Sequence, residues 1–308
     1  MDAKKETKPL LDKVRKWLET QGYPLEFRVA SAFSTAGVPA EQGLYVQEAE
    51  TSPAREIDVV AEVRETFGVS RICRIAILVE CKWSREKPWV VFTTRRTRMA
   101  SSACIAQTIG SVLGRAVTHC LAANEDLRAS EVFTSGELNG FGGRRAFSNE
   151  KEPDVFHATV KSIVTKTIAY ATHFDEHRVA GQMPNSCVIA LPMIVLEGDL
   201  FQAYFDSEAN EMRLDSVDSI RLHWRGTESP GPWISTLDIV KFESLNSLIS
   251  RRKPEWERLK REALAVISQI DLCYKRQSLS ALEIKPVPRG YLYLPKLLQE
   301  LANLSRRP

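Results

Sequence analysis

The stretch REIDVVAEVRETFGVSRICRIAILVECKWS, Arg55 to Ser84, decides how the chain is read. Two runs rich in β-branched residues, REIDVVAEVRE and RICRIAILVECKW, flank the breaker FGVS, the pattern of a β-hairpin whose turn centres near Val69. The second run is apolar from Ile75 to Val79, which implies a strand covered on both faces, yet it ends in Glu80, Cys81 and Lys82. Strand side chains alternate. Glu56, Asp58, Val60 and Glu62 therefore share one side of the first strand, and Ala76, Leu78, Glu80 and Lys82 share one side of the second. Paired residues of a hairpin have a constant sum of residue numbers, 138 for a turn at Val69. Asp58 then opposes Glu80 and Glu56 opposes Lys82, with Cβ atoms about 4.5–5.5 Å apart.

Two carboxylates that close, in apolar surroundings, repel unless a shared proton or a cation neutralises them. Paired carboxylate oxygens completed by water are what Mg²⁺ or Mn²⁺ prefers. Lys82 projects from the same face, where an ammonium could orient a water nucleophile or stabilise charge growing on a phosphoryl oxygen. Acid, acid and lysine around one metal point to phosphodiester hydrolysis.

Working outward, KPLLDKVRKWLETQGYPLEFRVASAFSTAGV reads as two helices. Leu10, Leu11, Val14, Trp17 and Leu18 form a stripe on the first, which Gly22 ends. Pro24 opens the second, which carries Phe27, Ala30 and Phe33 toward Gly37. GLYVQEAE is a further strand ahead of the hairpin. Between Ser84 and Glu152 the signals are a patch, PWVVF, an arginine cluster, one helix from about Ala103 to Leu121 and a loop, NGFGGRR. A helix then starts at Pro153-Asp154 with Phe156, Val160, Ile163, Val164, Thr167, Ile168 and Ala171 on one face. SCVIALPMIVLEGDLFQAYFD gives a buried strand and hairpin, SIRLHWRG and DIVKFESL further strands, Pro254 the start of a long amphipathic helix, and PKLLQELANL a last one. We expect an α/β fold: residues 8–205 as one domain with an insert at about 84–152, and strands and helices of 206–308 packed on it.

These residues resemble the PD-(D/E)XK nuclease superfamily, whose pattern is an Asp on one core strand followed by Glu/Asp-x-Lys on the next. Asp58 and Glu80-Cys81-Lys82 match it, and REIDVVA with LVECKW is especially similar to the Mrr-type restriction endonucleases. Many members carry a Glu on the helix before the sheet, and Glu26 in GYPLEFRVASAF stands at that position. The resemblance covers about Trp17 to Trp83 and implies a restriction-endonuclease-like core: helix, three-stranded antiparallel meander, helix, strand. It also implies Mg²⁺ or Mn²⁺ between Asp58 and Glu80, Glu26 as a third or indirect ligand, and Lys82 as the catalytic lysine. The chain departs from the pattern at Ile57, where the family motif has proline, and the 84–152 insert matches no recognition element. Some members carry a glutamine on the helix after the Glu-x-Lys strand; Gln107 is the nearby candidate here and is not carried into the site.

The alternative for Asp58, Glu80 and Lys82 is a solvated polar face with cross-strand ion pairs, against which the apolar run argues. Arg95, Arg96 and Arg98, and Arg144 and Arg145 beside the glycines, are candidate phosphate contacts; ordinary charged loops are the competing account. His173 and His177 lie one helical turn apart but lack a third zinc ligand, so we take them as a solvated helix end. Arg251, Arg252 and Lys253 read as a solvated turn, Cys81 as packing, and Trp83 and Trp89 as core.

Of 308 residues 44% are hydrophobic and 26% charged, with a formal net charge of +3. A field that weak excludes nucleic-acid binding driven by overall charge, so any basic surface is local. No run reaches the ~20 apolar residues of a membrane span, the first residues lack a signal-peptide core, and six scattered cysteines show no Cys-x-x-Cys spacing. The expectation is a cytoplasmic, Mg²⁺-dependent endonuclease of restriction or defence type acting on nucleic acid, DNA first, with a homodimer compatible. Its rivals are a nuclease-fold protein that binds nucleic acid or a protein partner without cutting, and a scaffold whose acidic hairpin is incidental.

Overall fold

The structure is a computed structural model and describes residues 7–19, 23–47, 51–68, 71–95, 101–134, 138–149, 152–176, 184–226 and 233–276. Helices α1 (Thr7–Glu19) and α2 (Tyr23–Thr35) precede a meander of β1 (Ala40–Val46), β2 (Arg55–Phe67) and β3 (Arg71–Trp83). The next segment supplies β4 (Trp89–Thr94), α3 (Ser101–Ala106), β5 (Ile109–Gly110), α4 (Val112–Leu121), α5 (Glu125–Ala129) and β6 (Asn139–Arg145). Helix α6 (Val155–Glu176) leads to β7 (Ser186–Glu197), β8 (Leu200–Asp206), β9 (Glu211–Ser216), β10 (Ser219–Gly226) and β11 (Trp233–Lys241). A short 3₁₀ turn then runs into α7 (Leu245–Arg276).

Among the described residues, eleven strands join one mixed sheet in the order β1-β2-β3-β7-β11-β10-β6-β4-β8-β9, with β5 paired to β7. Residues beyond 206 thus enter the middle of the sheet: β11 runs parallel to β7, and β10 pairs with β11 and β6. Strand β3 lies between β2, antiparallel, and β7, parallel. The β2–β3 ladder runs from Val59–Val79 to Phe67–Arg71 and every pair keeps the sum expected for a turn at Val69.

Burial explains why β3 is central. Ile75 to Val79 are all fully buried, because alternate residues enter two separate cores. Ile75, Ile77 and Val79 pack with Leu25, Val29 and Phe33 of α2, with α4, and with Trp256 and Leu259 of α7. Ala76 and Leu78 pack with Phe156, Val160, Ile163 and Val164 of α6 and with Trp89. Each such aliphatic side chain contributes about 1.5–3 kcal/mol on burial, which fixes the strand and its register. By contrast, the α1 stripe remains exposed: Leu10 is 64% and Trp17 54% accessible.

Four elements differ from the sequence expectation. NGFGGRR is strand β6 rather than a loop, paired with β4. A Cβ at Gly143 would stand 2.6 Å from the Phe156 ring, so glycine there lets α6 lie close on the strand. The single helix expected from Ala103 to Leu121 is two, α3 and α4, separated by β5, which bonds to β7. Pro254 lies inside α7 rather than at its start, because Leu245, Leu248 and Ile249 extend the buried stripe of Trp256, Leu259 and Ala263 upstream. Arg251, Arg252 and Lys253 therefore sit on a helix; Arg251 pairs with Glu131 at 2.9 Å and Lys253 donates to the Ala36 carbonyl at 2.7 Å. The segment PKLLQELANL lies outside the described residues.

Candidate active site

Strand β2 loosens from both neighbours at Asp58. The β1–β2 ladder skips from Gln42–Val59 to Leu44–Ile57, with Gly43 at a φ of +66° opposite Asp58, a left-handed conformation suited to glycine. The last β2–β3 pair is Val59–Val79, and beyond it an Asp58 Oδ2 accepts the Cys81 N–H at 2.6 Å. The carboxylate thus replaces a ladder bond and holds Asp58 against the end of β3. Glu56 does not pair with Lys82 as the hairpin arithmetic implies; with the ladder ended, it accepts a hydrogen bond from the Tyr45 hydroxyl at 3.2 Å.

Glu80 is only 5% accessible. A charge there costs several kcal/mol unless paired, and it has two partners. Lys82 Nζ donates to Oε1 at 2.7 Å, and Lys166 Nζ, itself buried on α6, donates to Oε2 at 2.6 Å. Asp58 is pushed up to about 6, by burial first and then by the Glu80 carboxylate, against the Cys81 N–H and the two lysines. Glu26, half-buried on the first turn of α2, is pushed up to about 7 by burial and then by Asp58, Glu56 and Glu80. Burial lowers the Lys82 ammonium, but the Glu80 charge and hydrogen bond outweigh it and hold Lys82 above its ordinary value. Burial also drives the Cys81 thiol well up, and Cys81 packs against the core on the α2 side.

The four residues singled out from sequence, Glu26, Asp58, Glu80 and Lys82, thus sense one another electrostatically around the end of β3. Lys166 was not among them. Its signal is a lysine three residues after Ile163 and four before Tyr170, within the buried face of α6. Beside the site, Arg28 and Arg85 both bind Glu197, next to Trp83 across the β3–β7 ladder. Trp83 is exposed rather than core, with the Arg85 guanidinium 6.0 Å from its ring centroid, because it lies past the buried run of β3. Trp89 is buried, edge-on to Phe156.

Of the arginine candidates, Arg95 and Arg144 are exposed, while Arg96 and Arg98 lie outside the described residues. Arg145 belongs to β6 and is held by Glu152 at 2.8 Å and by the Ser148 hydroxyl, so it is tied into the structure rather than offered from a loop. His173 is exposed near the end of α6, and His177 lies outside the described residues. Among the described residues, no group of three or more His, Cys, Asp or Glu side chains is arranged to hold a metal ion as it stands. Nor, among the described residues, is any helix long and apolar enough to cross a membrane. Comparison of the chain with family profiles, curated proteins and solved structures found no match.

Proposed function

We propose that this protein hydrolyses phosphodiester bonds of nucleic acid with the help of a divalent cation, as a DNA endonuclease of restriction or defence type. The observation that carries this reading is the charge count at the end of β3. Three carboxylates, Glu26, Asp58 and Glu80, face two ammonium groups, Lys82 and Lys166, and two of the acids are driven up, by burial first and then by neighbouring carboxylates. Hard oxygen donors short of positive charge fit Mg²⁺ or Mn²⁺, with Asp58 and Glu80 as ligands and Glu26 as a third or indirect one. When bound, such an ion polarises a phosphoryl oxygen and lowers the pKa of a water. Lys82, at the mouth of the site, then orients the nucleophile or meets charge developing on phosphate. The element order α2, β1-β2-β3, α6, β7 supports a restriction-endonuclease-like core.

A second reading, a silent nuclease-fold protein that binds nucleic acid or a protein partner, is favoured by one observation: both Glu80 oxygens are already engaged. Incubation of the purified protein with supercoiled plasmid, linear duplex, single-stranded DNA and RNA, under Mg²⁺, Mn²⁺ or EDTA, separates the two. We expect Mg²⁺- or Mn²⁺-dependent nicking of DNA that EDTA abolishes. Binding without cleavage under every metal supports the silent protein, and cleavage indifferent to EDTA removes both metal and site from the account.

A further inference from the structure

The lysine that sequence motifs do not mark is the better buried of the two at Glu80. Lys166 has a side chain only 8% accessible, against 32% for Lys82, and the Glu80 side chain is 7% accessible. It arrives from α6, on the opposite side of the sheet from α2, and donates to Oε2 of the Glu80 carboxylate. The same face of α6 is tied down along the hairpin: the Tyr170 hydroxyl donates to Glu62, and the Arg74 guanidinium lies 4.9 Å from the Phe174 ring centroid. Lys166 therefore cannot swing away as an exposed lysine would. Lys82 is the solvent-reachable partner of Glu80, and Lys166 the enclosed one.

From this we propose that Lys166 is a built-in cation that limits the site to a single divalent ion, bound on the Asp58 and Glu26 side of Glu80. A carboxylate can bridge two metal ions through its two oxygens. Here the Oε2 side is taken by a buried ammonium, which repels a second divalent ion. Lys166 is a positioning residue, acting through Glu80 rather than on the phosphate. The inference rests on the metal-dependent reading above, and its test reads metal binding rather than cleavage.

The experiment is calorimetric titration of the full chain with Mn²⁺, in parallel for the native protein, Lys166→Met and Lys166→Arg. The native protein and Lys166→Arg take up one ion. Lys166→Met takes up two, or binds its first at least about tenfold more tightly, because a buried positive charge next to the cation is gone. A purely structural brace gives the reverse: unchanged stoichiometry and unchanged or weaker Mn²⁺ binding in Lys166→Met. That outcome overturns the proposal, as does uptake of two ions by the native protein, which needs no variant to fold, or of none. Plasmid cleavage by the same preparations keeps the two claims apart. One Mn²⁺ in the native protein, two in Lys166→Met and no cleavage by the native protein would uphold Lys166 and reject the nuclease.

Discussion

Two clusters of acids and cations in this protein shift their carboxyls in opposite directions. Asp238 on β11 receives Nε and Nη2 of Arg221, both at 2.9 Å, with Arg252 Nη2 3.7 Å away. Burial alone raises its pKa, but the two guanidinium groups outweigh that and hold the carboxyl below its ordinary range. Arg221 spends its remaining donors on the carbonyls of Val132 and Thr134, and Arg252 is shared with Glu131. Arg251 also pairs with Glu131, so three guanidinium groups meet two acids there. At the end of β3 the acids outnumber the cations, and Asp58 and Glu26 go up rather than down. The first arrangement joins α7 to the sheet; the second leaves carboxylates in excess of ammonium groups.

The largest effect expected from this contrast is at the closed cluster. Asp238→Ala strands Arg221 and Arg252 in the interior and should cost about 3–5 kcal/mol in urea unfolding, with no dependence on Mg²⁺. A loss under 1 kcal/mol would put the two clusters in the same class. Lys82→Ala should lower the cleavage rate by about a hundredfold or more while metal-dependent DNA binding survives, since the carboxylates remain. Lys82→Arg should not rescue it, because a planar guanidinium does not reproduce a compact ammonium. Full activity in Lys82→Ala moves the chemistry elsewhere.

Smaller effects follow from crowding. Asp58→Asn keeps an acceptor for the Cys81 N–H but removes a stressed charge. It should raise the metal-free Tm above neutral pH by about 2 °C and abolish the stabilisation by Mg²⁺. A lowered metal-free Tm would mean that Asp58 is not strained by its neighbours. The pH dependence carries the same sign. A carboxyl raised on folding favours the protonated folded state, so its stabilising contribution is present at low pH and lost as pH rises through the folded values of about 6 for Asp58 and about 7 for Glu26. The rise in Tm on adding Mg²⁺ should therefore be greatest above pH 7 and shrink as protons compete for the same oxygens. A Mg²⁺ effect that is flat with pH would show that these two acids are not its ligands.

The hairpin was legible because its signals were local: a short breaker, two alternating runs and an apolar stretch fix a register that every pair from Val59–Val79 to Phe67–Arg71 obeys. What escaped depends on partners far along the chain. Gly140, Gly142 and Gly143 look like a loop until Phe156 of α6 is laid on Gly143. Pro254 looks like a helix start, yet burial of Leu245, Leu248 and Ile249 carries the helix across it despite a cost of about 3 kcal/mol for an interior proline. Lys166 was hidden the same way. Its spacing marks it as inward-facing, but only the packing of α6 over β3 gives it Glu80 to bind. Glu26 and Asp58, 32 positions apart in the sequence, could be linked beforehand only through the family resemblance.

The contrast between a closed and an open charge cluster is tested most directly by anomalous X-ray scattering from crystals soaked in Mn²⁺. The account predicts a peak within ligand distance, about 2.0–2.4 Å, of carboxylate oxygens of Asp58 and Glu80, and none beside Asp238. Absence of a peak at Asp58 under saturating Mn²⁺, or a peak elsewhere only, would contradict it.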